Sequence, residues 1–454
     1  MRRGRMTMAA ASAVAALAVA GCGGGSAGGP VEFTDEPEDS LEVWGFENAD
    51  DVGQSRLDHA AAQLDGVEIE IDAAAFDAQR FTAQAASGDL PDVVQMDRNF
   101  VATYAAQGLI VPLDECLALH DVDPEERWYP QVAADVTYDD QLWGVPQFYQ
   151  PPLILLNERV VAEAGLDASA FDITDPDGLV AAVEQLTVLD GDTPTRLGFD
   201  PQGVSKAALW MLAMGGSIVD EDGVPSLDDP ANVEAIELLQ RLYNAQGGYA
   251  QVRSFVDAFD LFGDGNPYVT DQVAAAVFDQ WYVNVLTPYA DQVELGATPM
   301  LDADGEPFTA ASGQAFVVPI GAEHPSAACR WMLDLTSEDA WMAAGAARAE
   351  TTAAEPERNG INAGLFTGSP GADEAVRAEY VQPTDYPGFD ATIQAYYDVA
   401  AEGVSFGATP AGQQLQSELQ DAVISALLGE ASPEDALADA QDAAMRAYEQ
   451  VSGG

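Results

Sequence analysis

Leu41-Glu42-Val43-Trp44-Gly45-Phe46, Val67-Glu68-Ile69-Glu70-Ile71 and Pro91-Asp92-Val93-Val94-Gln95-Met96 follow one another early in the chain. The first is a short apolar run ending at glycine, read as a strand entering a loop. The second alternates with period two, the pattern of a half-buried strand, and the third is a short buried run. Helical spacing separates them. One helix runs to about Leu64, and a second, Phe76 to Ser87, is stopped by Gly88. A third, Phe100 to Gln107, ends at Gly108, a residue suited to the left-handed helix terminus. Strand and helix in alternation predict an α/β fold built on a mainly parallel sheet covered on both faces.

The pattern continues downstream. Val180 to Leu189 has helical spacing, and Arg196 to Asp200 is strand-like. Lys206 to Met214 is a helix stopped by Gly215-Gly216. Asn232 to Ala245, Asp271 to Ala276, Glu323 to Leu335 and Glu338 to Ala344 also follow the helical period. Gly412 to Tyr448 reads as nearly all helix, broken at Gly429 and Pro433. With 454 residues and 48% hydrophobic content, the chain has material for two or three domains.

The charge is extreme, 76 Asp+Glu against 17 Lys+Arg, for a formal −59. Lys206 is the only lysine. Such a field repels nucleic acid and anionic headgroups, so neither is an expected partner. The acids are spread along the chain and form no tail. This predicts an evenly acidic surface of the halophilic kind, with self-repulsion screened in concentrated salt, where the Debye length is about 3 Å at 1 M.

Arg2, Arg3 and Arg5 precede an apolar run, Met6 to Ala20, too short to span a bilayer. It ends in Leu17-Ala18-Val19-Ala20-Gly21-Cys22, which resembles the bacterial lipobox. The reading is a lipoprotein signal peptide over 1–21. The Cys22 sulfur takes a diacylglyceryl group, and fatty acylation (palmitate) completes a stable anchor on the extracytoplasmic face of the cell membrane. Residues 22–40, glycine-rich and then acidic, read as a flexible tether reaching roughly 60 Å when extended. Cys116 and Cys329 form a disulfide or remain two buried thiols; sequence leaves both open. The three histidines are far apart and no Cys/His cluster has metal spacing, so no metal or cofactor is expected.

Six ordered strings resemble the family 1 extracellular solute-binding proteins, the maltose-binding-like group of ABC importers. They are Ala85 to Val94 with Gln107 to Asp114; Tyr138 to Pro146 with Leu155 to Arg159 and Ala164 to Asp167; Gly215-Gly216-Ser217 with Asp220 to Gly223; Ala274 to Val277 with Trp281; Ser312-Gly313 to Pro319 with Ala327 to Met332; and Leu428 to Leu437. The usual tyrosine before an Asn-Lys pair is Leu156 here, and Glu158 or Arg159 replaces the lysine. The resemblance implies an α/β two-lobe periplasmic-binding-protein-like fold of class II type, with the ligand in a cleft between lobes. It assigns 41–148 plus 312–380 to an N-terminal lobe and 149–311 plus 381–454 to a C-terminal lobe. Crossings fall near Gln147 to Pro151, near Ala310 to Ala315, and near Tyr380 to Phe389. It further implies a monomeric carrier, not an enzyme, that hands a mono- or oligosaccharide to permease subunits.

Sugars show flat C–H faces and a rim of hydroxyls, so aromatic rings and carboxylates or amides suit them. Open α/β sheets place ligands at the C-terminal ends of their strands. The candidate contacts are accordingly Trp44 after the first strand; Gln95 and Asp97 after the third; Tyr149 and Gln150 on the first crossing; Trp281, at the family's stacking position, with Gln280 and Tyr282; Gly313 and Gln314 on the second crossing; and Arg348. Phe46 is a weaker candidate, and Trp210 is read as core. One alternative is the same fold holding a cationic solute, a polyamine or quaternary amine, in a cation–π cage. Another is a secreted glycosidase, which needs a carboxylate pair that 76 acids supply by chance.

Overall fold

Ser40–Trp44 is the strand around which the first sheet assembles. It runs parallel to Glu68–Asp72 on one side, while Val43 and Trp44 run parallel to Val93 and Val94 on the other. Each connection passes through a helix, Asp51–Gln63 or Ala78–Ser87, as parallel pairing demands. Both helices begin at an aspartate whose carboxylate accepts the backbone N–H of the third helical residue: Asp50 from Gly53, and Asp77 from Arg80. Gly88, at φ 73°, ends the second. The computed structural model describes residues 31–46, 50–310, 312–355 and 360–452; the leader, Cys22 and the glycine-rich start of the tether lie outside the described residues.

Two strands from far along the chain complete this sheet. Gln314–Val317 lies antiparallel to Val93–Asp97, and Val145–Pro146 lies antiparallel to Gln314–Val317. The expected mainly parallel sheet is therefore mixed. The added strands belong to segments leaving for, and returning from, a second sheet. That sheet is wholly antiparallel: Pro152–Asn157, buried at every residue, lies between Ala275–Asp279 and Leu295–Thr298.

The molecule is thus two α/β lobes. The chain leaves the first sheet at Pro146 and enters the second at Pro152. It returns between Ala310, in a small sheet with Met300–Leu301 and Gly403–Val404, and Gln314. These two passages lie side by side, with the Gln150 N–H donating to the Ser312 carbonyl at 3.1 Å. Later, Pro370–Tyr380 packs on Glu338–Ala354, whereas Pro387–Ala400 packs on Leu295–Thr298, so the chain changes lobes again between Tyr380 and Pro387.

Four expectations are corrected. Asp271 to Ala276 is not helical: Val273 bridges Leu197, and Ala275–Asp279 is a strand. An alanine-rich run favours helix in isolation, but here both faces are buried in a sheet, and tertiary context overrides propensity. The helix expected over Val180 to Leu189 starts earlier, at Pro176 behind the Asp175 cap, and ends at Leu186; Val188–Asp190 pairs with Thr193–Arg196. The strand expected over Arg196 to Asp200 is accordingly Thr193–Arg196, with Leu197 and Asp200 reduced to isolated bridges. The tether does not stay free to Ser40. Phe33 is buried in the core, the Thr34 N–H donates to Ser326 Oγ at 3.1 Å, and Glu38 accepts the Ser326 and Ala327 N–H groups at the start of the helix Pro325–Leu335.

Cys116 and Cys329 form a disulfide with Cα atoms 5.9 Å apart, joining the helix Asp114–Leu119 to Pro325–Leu335. Among the described residues, no helix is long and apolar enough to cross a membrane.

Candidate functional site

A cleft of about 740 Å³ lies between the lobes. That size suits a small organic ligand. Its floor is the paired passages: Tyr149 and Gln150 from one, Ser312, Gly313 and Gln314 from the other. Asp97, Arg98 and Asn99 descend from the first sheet, and Gln280, Trp281 and Asn284 project from the second.

Of the candidates, Asp97, Tyr149, Gln150, Gln280, Trp281, Gly313, Gln314 and Arg348 line this cleft, and Trp44, Gln95 and Tyr282 do not. Trp44 is core: its ring lies 5.5 Å from that of Phe76 and beneath the Arg80 guanidinium. Strand alternation turns it toward the helices covering the sheet. Phe46 is core as well, against Phe316 and Trp331, and Trp210 is buried as expected. Gln95 stands one layer behind the cleft. It accepts from Gln147 Nε2 at 2.9 Å and donates to the Oε1 of Gln314, so it orients a cleft residue without reaching the cleft. Tyr282 is fully buried, stacked on Phe278 at 3.8 Å, with its hydroxyl bonded to Asn266. It follows Trp281 on the helix Trp281–Leu286, where neighbours point about 100° apart, and the two rings stand at 87°.

Trp281 is half-buried on the cleft wall, with Phe262 stacked at 6.2 Å. Gln280 is held by its side-chain N–H on the Ala363 carbonyl at 3.1 Å. The Tyr149 hydroxyl accepts from Gln131, and burial pushes it up to about 12, so it remains a neutral phenol. Gly313 must be glycine because a Cβ there would collide with the Phe148 carbonyl and the Arg98 guanidinium.

The electrostatics of the cleft were not legible in the sequence. Each cation among the described lining residues has a carboxylate beside it. Arg98 Nε meets Asp135 at 3.1 Å, Lys206 Nζ meets Asp279 at 2.5 Å, and Arg348 grips Asp51 through Nε at 2.9 Å and Nη2 at 2.8 Å, with Asp50 at 3.0 Å. Arg98 and Asp135 are both buried; burial raises the Asp135 pKa, opposed by the adjoining guanidinium and by the Ser405 hydroxyl. Arg98, Asn99, Asp135 and Lys206 were missed because they converge from separate segments. Only Lys206 carried a signal, its uniqueness. Among the described residues no group of three or more His, Cys, Asp or Glu is placed to hold a metal.

Solved structures share this architecture. A protein designated CpMnBP1, with mannotriose bound, is 20% identical at a TM-score of 0.70, over 90% of this chain and 100% of that one. An ABC transporter solute-binding protein of Thermotoga lettingae, bound with α-D-tagatose, is 19% identical at 0.66, over 90% and 100%. An ABC substrate-binding protein of Listeria monocytogenes, in complex with cycloalternan, is 16% identical at 0.69, over 91% and 99%. At such identities the likeness is one of fold. No curated protein matches the sequence. The family described as bacterial extracellular solute-binding protein matches residues 57–355, about two thirds of the chain. The chain belongs to the bacterial extracellular solute-binding proteins, a family of binding proteins and not of enzymes.

Proposed function

We propose that this protein binds an uncharged carbohydrate, mono- or oligosaccharide, in the interlobe cleft and delivers it to the permease of an ABC importer. The observation that carries the reading is a half-buried Trp281 on the wall of a 740 Å³ cleft whose described cations are each neutralised by a carboxylate. A flat apolar ring suits a pyranose face, and amides such as Gln150, Gln280 and Gln314 suit its hydroxyls. Paired charges leave no strong field to attract an anion. The sugars bound by CpMnBP1 and by the Thermotoga and Listeria proteins agree with this choice. Closure of the lobes follows from tighter ligand contact in the closed form, with the paired passages as hinges.

Cys22, through a lipid on its sulfur, anchors the chain at the extracytoplasmic face. A single chain supplies both walls of the cleft, consistent with a monomer. The spread of 76 acids supports a protein adapted to high salt.

The test is isothermal titration at high salt against mannotriose, maltotriose, tagatose, spermidine and glycine betaine. Saturable sugar binding without product release is expected, and Trp281→Ala should weaken it at least 10-fold, about 1.4 kcal/mol. Binding of spermidine or betaine alone would sink the carbohydrate reading.

A further inference from the structure

Lys206 is the one lysine among 454 residues, against sixteen arginines, and it lines the cleft. Every other Lys/Arg position in the protein is arginine, including exposed ion pairs such as Arg241 with Asp177 and Arg253 with Asp257. A chain that otherwise uses only arginine keeps an ammonium at this position.

Geometry gives a reason. Lys206 precedes the helix Ala207–Ala213 and makes no side-chain capping bond. Its ammonium reaches Asp279, the last residue of the strand Ala275–Asp279, at 2.5 Å. Both side chains are 15% exposed, so the pair is largely withdrawn from water. Asp279 itself does not line the cleft; it stands behind Lys206, two residues before Trp281. An ammonium directs three protons away from one point. One is taken by Asp279, and the others remain for groups in the cleft. A guanidinium at the same place would form a planar fork on the carboxylate and turn its donors into that pair.

We infer that Lys206 is a ligand-contacting, specificity-determining residue, donating hydrogen bonds to hydroxyl oxygens of the sugar ring stacked on Trp281, with Asp279 as its positioning residue. This rests on the carbohydrate reading of the cleft. The carboxylate at 2.5 Å cancels the charge of the ammonium while leaving its donors in place. The pair therefore favours a neutral polyol over a uronate or a sugar phosphate.

Because Lys206 is unique, amine acetylation followed by peptide mass spectrometry reports one side chain. The full chain is titrated with mannotriose, maltotriose and tagatose, with binding followed separately by tryptophan fluorescence. A sugar that binds should slow Lys206 acetylation about 10-fold or more at saturation. Lys206→Arg and Lys206→Met should each weaken that sugar on the order of 10- to 100-fold, although arginine keeps the charge. Asp279→Asn should shift preference toward glucuronate, which a merely structural role would not do. Sugar binding by fluorescence with unchanged acetylation, and affinity for Lys206→Arg within twofold of wild type, would overturn the inference while leaving the carbohydrate reading standing. Binding of none of the sugars would overturn both.

Discussion

The disulfide offers the most quantitative perturbation. Cys116 and Cys329 are 213 residues apart in sequence, yet both belong to the first lobe, whose two pieces are separated by the second. Closing a loop of that length restricts the unfolded chain by about 5 kcal/mol at 25 °C in the chain-entropy treatment. If the second lobe stays folded while the first opens, the Gln150–Ser312 bridge short-circuits the loop to roughly fifty residues, and the contribution becomes about 4 kcal/mol. A lobe of roughly 180 residues has an unfolding entropy near 0.4 kcal/mol per degree, so removing the link should lower its melting temperature by about 10 °C. The assay is calorimetry of the oxidised protein, the reduced protein and a Cys116→Ala/Cys329→Ala variant, with unreduced peptide mapping to establish the link. Two transitions are expected, the one for the first lobe falling and the other unmoved. Equal melting of oxidised and reduced protein, or an unreduced map without the cross-linked peptide, would refute the reasoning.

Other outcomes follow from single sites. Asp373 is buried, accepts from the Thr367 N–H at 2.7 Å and the Tyr129 hydroxyl at 3.2 Å, and burial pushes its pKa up to about 7. A raised acid binds its proton more tightly when folded, so stability falls as pH rises from about 4 to about 7. Asp373→Asn should flatten that slope and gain a few kcal/mol at pH 8 relative to wild type, measured by denaturant melts at several pH values; an unchanged slope would remove the assignment. Gly313→Ala sets a Cβ against the Phe148 carbonyl, which cannot move without moving the first passage, and should cost about 1–3 kcal/mol; thermal melting at wild-type temperature would contradict it. Raising KCl from 0.1 to 2 M should raise the unfolding free energy as the acidic surface is screened, and full stability in dilute buffer would dispose of the halophilic reading.

The sequence was most legible where local chemistry decides local structure. A short apolar run located Ser40–Trp44, period-two alternation located Glu68–Asp72, and helical spacing located the helices after them. Glu68–Asp72 is nonetheless mostly exposed rather than half-buried, as an edge strand can be. Caps did the same for Gly88 and Gly429, both left-handed, since few side chains tolerate that backbone. The pattern failed at Val273 to Ala276, where burial on all sides erases periodicity. It also missed the antiparallel additions to the first sheet, because nothing in Gln314–Val317 tells which strand it will lie beside.

The site divides in the same way. Trp281, Gln150 and Gln314 could be picked out because a resemblance fixed their order along the chain. Whether an aromatic residue faces the cleft or the core depends on which side of its strand or helix the partner element packs. Trp44, Phe46 and Tyr282 therefore turned out as core, and Gln95 as a support for Gln314. The charge pairs of the cleft bring together residues 37, 73 and 297 positions apart, a closeness only the folded chain creates. By itself the sequence determined most of the elements and the excess of acids, products of composition and short-range spacing. The tertiary structure alone decided which carboxylate silences which cation, because Coulomb attraction depends on distance in space and not along the chain.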